Sequence, residues 1–178
     1  MWGTRLMIAA GIGALTAVAA CSGSSSSPTA PTGPAASAQI VSVSPAGGAT
    51  GVNVSASVVV TFSKPMHATA ASFVALHQGT VTGATVAGHY MWSGDSTMMT
   101  FSPDSMMAAN STYVLHMGGG MFDAAGDTVS LARCAQFGGQ TVTSQMMGGG
   151  MMGAGEMGAG WQTPGSSNYG MMFSFTTH

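Results

Sequence analysis

From Gln39 to the C-terminus, apolar and polar positions alternate in short runs separated by turn residues. Ile40, Val41 and Val43 precede Pro45 and the turn Ala46-Gly47-Gly48. In VVVTFS, the two-residue period of a strand puts Val58, Val60 and Phe62 on one face and Val59 and Thr61 on the other. Phe73, Ala75 and His77 form another run, followed by Val81 to Tyr90. TMMTFS (97–102) puts Met99 with Phe101. TYVLHM (112–117) puts Tyr113, Leu115 and Met117 together, opposite Val114 and His116. Met171 to Thr177 forms the last run, and no segment in this part of the chain has a helical period. Short strands at this spacing predict an all-β sandwich.

The first twenty residues stand outside that pattern. Arg5 supplies a short positive region, Leu6 to Val18 is apolar and uncharged, and Ala19-Ala20 ends the run in small residues. A membrane-spanning helix needs about 20 apolar residues, so this shorter run reads as an export signal over 1–20. Residues 21–38 are a Ser/Pro/Ala-rich tether without apolar periodicity. In polyproline form, at ~3.1 Å per residue, it would hold a domain up to roughly 50 Å from a membrane. The remaining 39–178 has the length of one domain with a core of its own.

Val18-Ala19-Ala20-Cys21 resembles the lipobox of bacterial lipoproteins. That resemblance implies cleavage before Cys21, acylation of Cys21 and attachment to a membrane through its acyl chains. Ser22 in place of Asp implies outer-membrane sorting in a Gram-negative cell. The plainer alternative is an ordinary secretory signal with a chance cysteine behind it. Both readings place the chain in the cell envelope or beyond it.

VSVSPAGGATGVNVSASVVVTFSKPM (41–66), TMMTFSPDSMMAANSTYVLHM (97–117), FDAAGD (122–127) and FSFTT (173–177) are similar to the bacterial Ig-like domains of the SbsA type. Those domains run from a SPADGATGV turn and a TFSEPM strand to a final F-x-F-T strand. The resemblance implies an Ig-like antiparallel β-sandwich over 39–178, and an adhesive or architectural role of the kind such modules commonly serve. Here the FDAAGD turn does not lead quickly into the last strand, because a Met/Gly-rich insertion (133–168) intervenes. Without those 36 residues the module has 104, near the ~100 of an Ig domain.

Composition narrows the chemistry. Charged side chains make up 4% of the chain, against about 25% in an ordinary domain. A net charge of −2 offers no footprint for nucleic acid. Acid–base and phosphoryl-transfer chemistry lack their residues. No G-x-S-x-G elbow links the Ser, His and Asp present. Asp95, Asp104, Asp123 and Asp127 lie in turn contexts, where Asp caps the backbone. The expectation is that this is not an enzyme.

Methionine is the unusual feature, with 17 in the chain and 15 once Met1 and Met7 of the signal are removed. QMMGGGMMGAGEMGAG (145–160) holds Met146, Met147, Met151, Met152 and Met157 on a glycine-rich backbone that bends freely. HMGGGM supplies His116, Met117 and Met121; His89 and Met91 form an H-x-M pair on one strand face; His67 follows Met66. Thioethers and imidazoles suit Cu(I) and, by extension, Ag(I), whereas hard cations want carboxylates that the chain hardly has. Thioethers also stay available in an oxidising compartment where thiols pair. Zn²⁺ lacks its ligand spacings here. The candidate ligands are His116, Met117, Met121, Met146, Met147, Met151, Met152 and Met157, with His89, Met91 and His67 secondary, and the candidate partner is another copper-handling envelope protein.

Each candidate has a plainer reading. Methionine fills cores, and Met99 and Met117 share faces with aromatic and aliphatic residues. Met66 stands where SbsA-type domains often carry Met, so packing accounts for it; His77 reads as a satisfied strand residue. Trp92 and Trp161 suit a metal site, the core or a loop anchor equally. The insertion fits the plain reading least, since an exposed linker gains nothing from oxidisable apolar side chains; hydrophobic packing of that loop onto the sandwich is the alternative. SVSPAGGAT…TFSKPMHA is also similar, more loosely, to periplasmic copper carriers of the CopC type, which bear Met-rich Cu(I) loops. Their Cu(II) site uses a free N-terminal His, which an acylated Cys21 would replace. Cys134 is then unpaired in sequence terms: a thiolate ligand, an intermolecular disulfide partner or a buried inert thiol. The leading expectation is a lipid-anchored copper-binding Ig-like protein for tolerance, buffering or delivery. The alternative is an architectural or adhesive envelope module without metal.

Overall fold

Alternating burial shows how the strands pack. In β3 (Val58–Phe62), Val58, Val60 and Phe62 are buried while Val59 and Thr61 are only partly so. In β6 (Met98–Pro103), Met99 and Phe101 are buried. The computed structural model describes residues 37–131, 134–143, 161 and 168–178. Its remaining strands are β1 (Ile40–Ser44), β2 (Ala49–Val52), β4 (Val74–Gln78), β5 (Gly88–Trp92), β7 (Thr112–Met117), β8 (Gln140–Thr143) and β9 (Asn168–Thr177). All of them, with the whole described core, lie in one compact unit, Ala36–His178, which therefore carries its own fold.

Two sheets result. The first has the order β1-β3-β6-β5 and is antiparallel throughout. The second has the order β2-β9-β7-β4, with β8 also paired to β9. The ten residues of β9 share one edge between two neighbours: β8 pairs with its first half and β2, in parallel, with its second. The inner faces meet over Val60, Phe101, Leu76, Leu115, Phe173 and Phe175, each contributing roughly 1.5–3 kcal/mol of apolar burial.

Tyr113, near the start of β7, accepts a hydrogen bond on its hydroxyl from the Ala108 backbone N–H at 2.7 Å. This is the corner contact of Ig-like sandwiches, a tyrosine tied to backbone a few residues upstream. Nearby, the Thr177 hydroxyl donates to the Ala108 carbonyl at 2.6 Å and accepts from the Ser111 N–H at 3.0 Å, fastening the end of β9.

The structure differs from the sequence pattern in three places. The run expected over Val81–Tyr90 becomes a strand only from Gly88, because Gly79 takes a left-handed φ of +82° and the Gly83 N–H turns back to the Thr80 carbonyl at 2.8 Å. The turn at Gly48 (φ +78°) feeds directly into β2. The insertion begins with a 3-10 turn over Cys134–Phe137 and then β8.

Candidate metal centre

The described methionines sort by depth. Met66, Met99, Met107, Met117, Met121 and Met171 are buried in the core, and Met117, Met121 and Met171 have no exposed surface. Met117 lies on the inner face of β7, and Met121 accepts at its carbonyl from the Val129 N–H at 3.0 Å, which holds the segment after β7 against the core. These thioethers face other core side chains, the environment Met fills in any protein. Met91, Met98 and Met106 are exposed, and Met172 is half-buried. Met146, Met147, Met151, Met152 and Met157 lie outside the described residues, as does Cys21.

Thr143 of β8 pairs with Asn168 of β9, the residues that flank 144–167 in sequence. Within that excursion Trp161 is described, and it docks on β7. Its indole stacks on the His116 imidazole with ring centroids 4.5 Å apart and meets the Phe73 ring edge-on at 6.4 Å. Its carbonyl accepts from the Gly119 N–H at 2.8 Å. Gly118 makes room for it, since a Cβ there would come within 2.8 Å of the indole.

His116 occupies the outer face of the second sheet, directly across from Met172. It is fully buried there, beside His77, whose ring lies 6.3 Å away. His77 is also buried, with Nδ1 3.1 Å from the Gly83 carbonyl oxygen. Along the same face a groove of about 560 Å³ is lined by Thr80, Val81, Val114, Met172 and Ser174. The outer face of the second sheet thus holds two imidazoles and a thioether next to the strand ends from which the Met/Gly segment departs. Met172, a soft side chain at the chain end with Met171 and His178, stands outside the preferred ligand set, and Trp161, which suited a metal site, the core or a loop anchor equally, packs on β7. Met172 was accessible to sequence reasoning: with Phe173 and Phe175 inward, strand alternation sends it outward.

The secondary candidates lie apart. His67 is exposed, and its Nδ1 is 2.7 Å from the Thr69 hydroxyl and accepts from the Thr69 N–H at 3.3 Å, as the N-cap of the 3-10 turn Ala68–Phe73. His89 and Met91 share the exposed face of β5, with His89 Nδ1 3.3 Å from Asp104 Oδ1.

Among the described residues, no three His, Cys, Asp or Glu side chains converge. The acidic residues have other partners. Asp95 Oδ1 accepts from the Ser93 hydroxyl at 2.6 Å, and these turn hydrogen bonds, with those from Thr97, hold its carboxyl below the usual carboxylate range. Buried Asp123 accepts from the Ala125 and Asp127 N–H groups and lies 3.7 Å from Lys64 Nζ. Asp104, expected to cap a turn, instead faces His89.

An Ig-like β-sandwich with an added strand, β8, paired to its last strand is the class that this topology defines. Residues 35–138 match the bacterial Ig-like domain family, and the chain belongs to that family. No curated protein matches it. Solved structures similar to it include L,D-transpeptidase 1 of Mycobacterium tuberculosis, at 24% identity over 44% of this chain and 35% of that one, with a TM-score of 0.37. The L,D-transpeptidase from Mycobacterium smegmatis is 23% identical over 61% of this chain and 43% of that one, with a TM-score of 0.38. Domains 1–6 of the surface layer protein SbsC are 21% identical over 54% of this chain and 13% of that one, with a TM-score of 0.40. The chain therefore spans about a third of the first of these structures and less of the surface layer protein.

Proposed function

We propose that the chain is an exported, lipid-anchored Ig-like module of the cell envelope that binds Cu(I), and Ag(I) through the same ligands, for copper tolerance, buffering or delivery. Membership of the bacterial Ig-like family supports the envelope location. The lipobox-like Val18–Cys21 and the tether behind it support the anchor.

One observation carries the metal reading: Trp161 fastens the Met/Gly excursion of β8–β9 onto His116, across the sheet from Met172. The five thioethers belong to the same stretch of sequence as Trp161, and the face on which Trp161 stacks carries imidazole and thioether groups of its own. Two or three sulfurs from this glycine-rich stretch would ligate one soft ion, and thioether ligation needs no deprotonation. Capture by several interchangeable thioethers suits a carrier or buffer that must also release its ion.

Native mass spectrometry of the chain from Ser22 onward, loaded anaerobically with Cu(I), tests this directly. Bound copper is expected, with loss of copper when Met146, Met147, Met151, Met152 and Met157 are changed to Leu. Unchanged copper content in that variant would overturn the assignment to the excursion, and no copper in the parent chain would leave an architectural module.

A further inference from the structure

We infer that the outer face of the first sheet carries a second soft-metal site, separate from the Met/Gly excursion, in which His89 and Met91 of edge strand β5 bind Cu(I) or Ag(I), with Met98 of β6 beside them. The inference rests on the proposed function only for the choice of cation.

Strand alternation makes the arrangement. Tyr90 and Trp92 turn inward, where Tyr90 lies 4.9 Å from the Phe101 ring and Trp92 lies 6.0 Å from that of Phe62. His89 and Met91 must then point outward together, and both are exposed, Met91 to 61%. Packing does not explain Met91. Its cross-strand partner is Thr100, and that of His89 is Ser102, two short hydroxyl side chains that leave the space above the sheet open. A thioether held largely in water from a strand costs apolar exposure.

Met98 is also exposed, at 41%. It lies two positions from Thr100 on β6, which makes it the diagonal neighbour of Met91, a separation that long side chains span. Met91 thus stands between an imidazole on its own strand and a second thioether on the next.

Asp104 completes the site without touching the ion. Its Oδ1 lies 3.3 Å from His89 Nδ1, so the ring places its N–H toward the carboxylate and turns the Nε2 lone pair outward. Metal-ligating histidines are characteristically held this way, by a carboxylate on the other ring nitrogen. The carboxylate also supplies negative charge next to an incoming cation. One nitrogen and one or two thioether sulfurs match a monovalent soft ion, and a lone carboxylate that is already engaged does not match Ca²⁺ or Mg²⁺. Binding forms coordinate bonds from Nε2 and the sulfurs to the ion and breaks none in the protein.

The test uses Ag(I), which keeps its oxidation state, and the chain from Ser22 onward with Cys134→Ser to remove the competing thiol. Methionine methyl and histidine ring-nitrogen NMR signals are followed in the parent and in the variant with Met146, Met147, Met151, Met152 and Met157 changed to Leu. In that variant the signals of Met91, Met98 and His89 Nε2 are expected to move together and saturate at one equivalent. Met106, 78% exposed in the segment between β6 and β7, is the control and should stay put. Asp104→Ala should weaken the site about tenfold. Signals of Met91 that do not move, or that move only as Met106 moves, overturn the site, as does an Asp104→Ala variant with parental affinity. A five-Leu variant that loses all Ag(I) binding overturns this site and leaves the proposed function standing. A variant that keeps the parental stoichiometry, and loses it on His89→Ala with Met91→Leu, supports the site while removing the excursion from the account.

Discussion

Trp161 and His116 stack face to face, 4.5 Å between ring centroids and 28° from parallel, and this contact joins the Met/Gly excursion to the outer face of the second sheet. An aromatic pair of this kind is worth about 0.5–1.5 kcal/mol beyond the area it buries. Trp161→Ala should therefore destabilise the domain by about 2 kcal/mol in chemical denaturation, with the loss of apolar burial added to the stacking. Unchanged stability would contradict the anchoring role. Ag(I) binding by the excursion should also change Trp161 fluorescence in a Trp92→Phe background.

The tyrosine corner gives a second expectation. Tyr113→Phe removes the acceptor for the Ala108 N–H while keeping the ring stacked 5.8 Å from Phe175. A net loss of about 1 kcal/mol follows, or a melting temperature lower by roughly 3–5 °C, read by calorimetry. A neutral result would mean that water replaces the bond.

Burial pushes the Tyr90 hydroxyl up to about 12, and its proton is donated to the Val74 carbonyl at 2.6 Å. The folded state holds that proton more tightly than the unfolded chain, whose tyrosine ionises near 10. The contribution to stability is thus fully present below pH 10 and is lost as pH rises towards 12. An absorbance titration at 295 nm, compared with Tyr90→Phe, should show one tyrosinate appearing late and together with unfolding. Ionisation near pH 10 in a chain still folded by circular dichroism would contradict the burial.

Anchoring is tested at Cys21. Cys21→Ser should abolish incorporation of labelled palmitate and move the protein from the membrane fraction to the soluble one. Equal labelling of both proteins would contradict acylation at that residue.

Much of the sandwich was legible in the sequence because β3 and β6 carry a two-residue alternation, and a buried face leaves only one register; β7 is buried on both faces, which its apolar Tyr-Val-Leu run allows. The short strand β2 (ATGV) was not legible, since its pairing with β9 begins at a glycine turn and no alternation marks it. Strand β8 (QTVT) is hidden for the same reason. The same alternation accounted for buried Met99 and Met117. It had no purchase on Met121, which follows three glycines and is nonetheless fully buried. The two contacts that shape the candidate sites, Trp161 on His116 and Asp104 beside His89, join residues far apart in sequence, and only the sheet topology brings them together. The five methionines of the excursion were conspicuous by composition alone, and they lie outside the described residues.

The central claim is that thioethers of the excursion bind Cu(I). An anaerobic Cu(I) titration of the chain from Ser22 onward against a chromophoric competitor measures this most directly, repeated with Met146, Met147, Met151, Met152 and Met157 changed to Leu, which keeps volume and removes sulfur. The account predicts that the parent chain withdraws Cu(I) from the competitor and that the variant loses most of that capacity. A parent chain that leaves the competitor fully loaded, or a variant that competes as well as the parent, would contradict it.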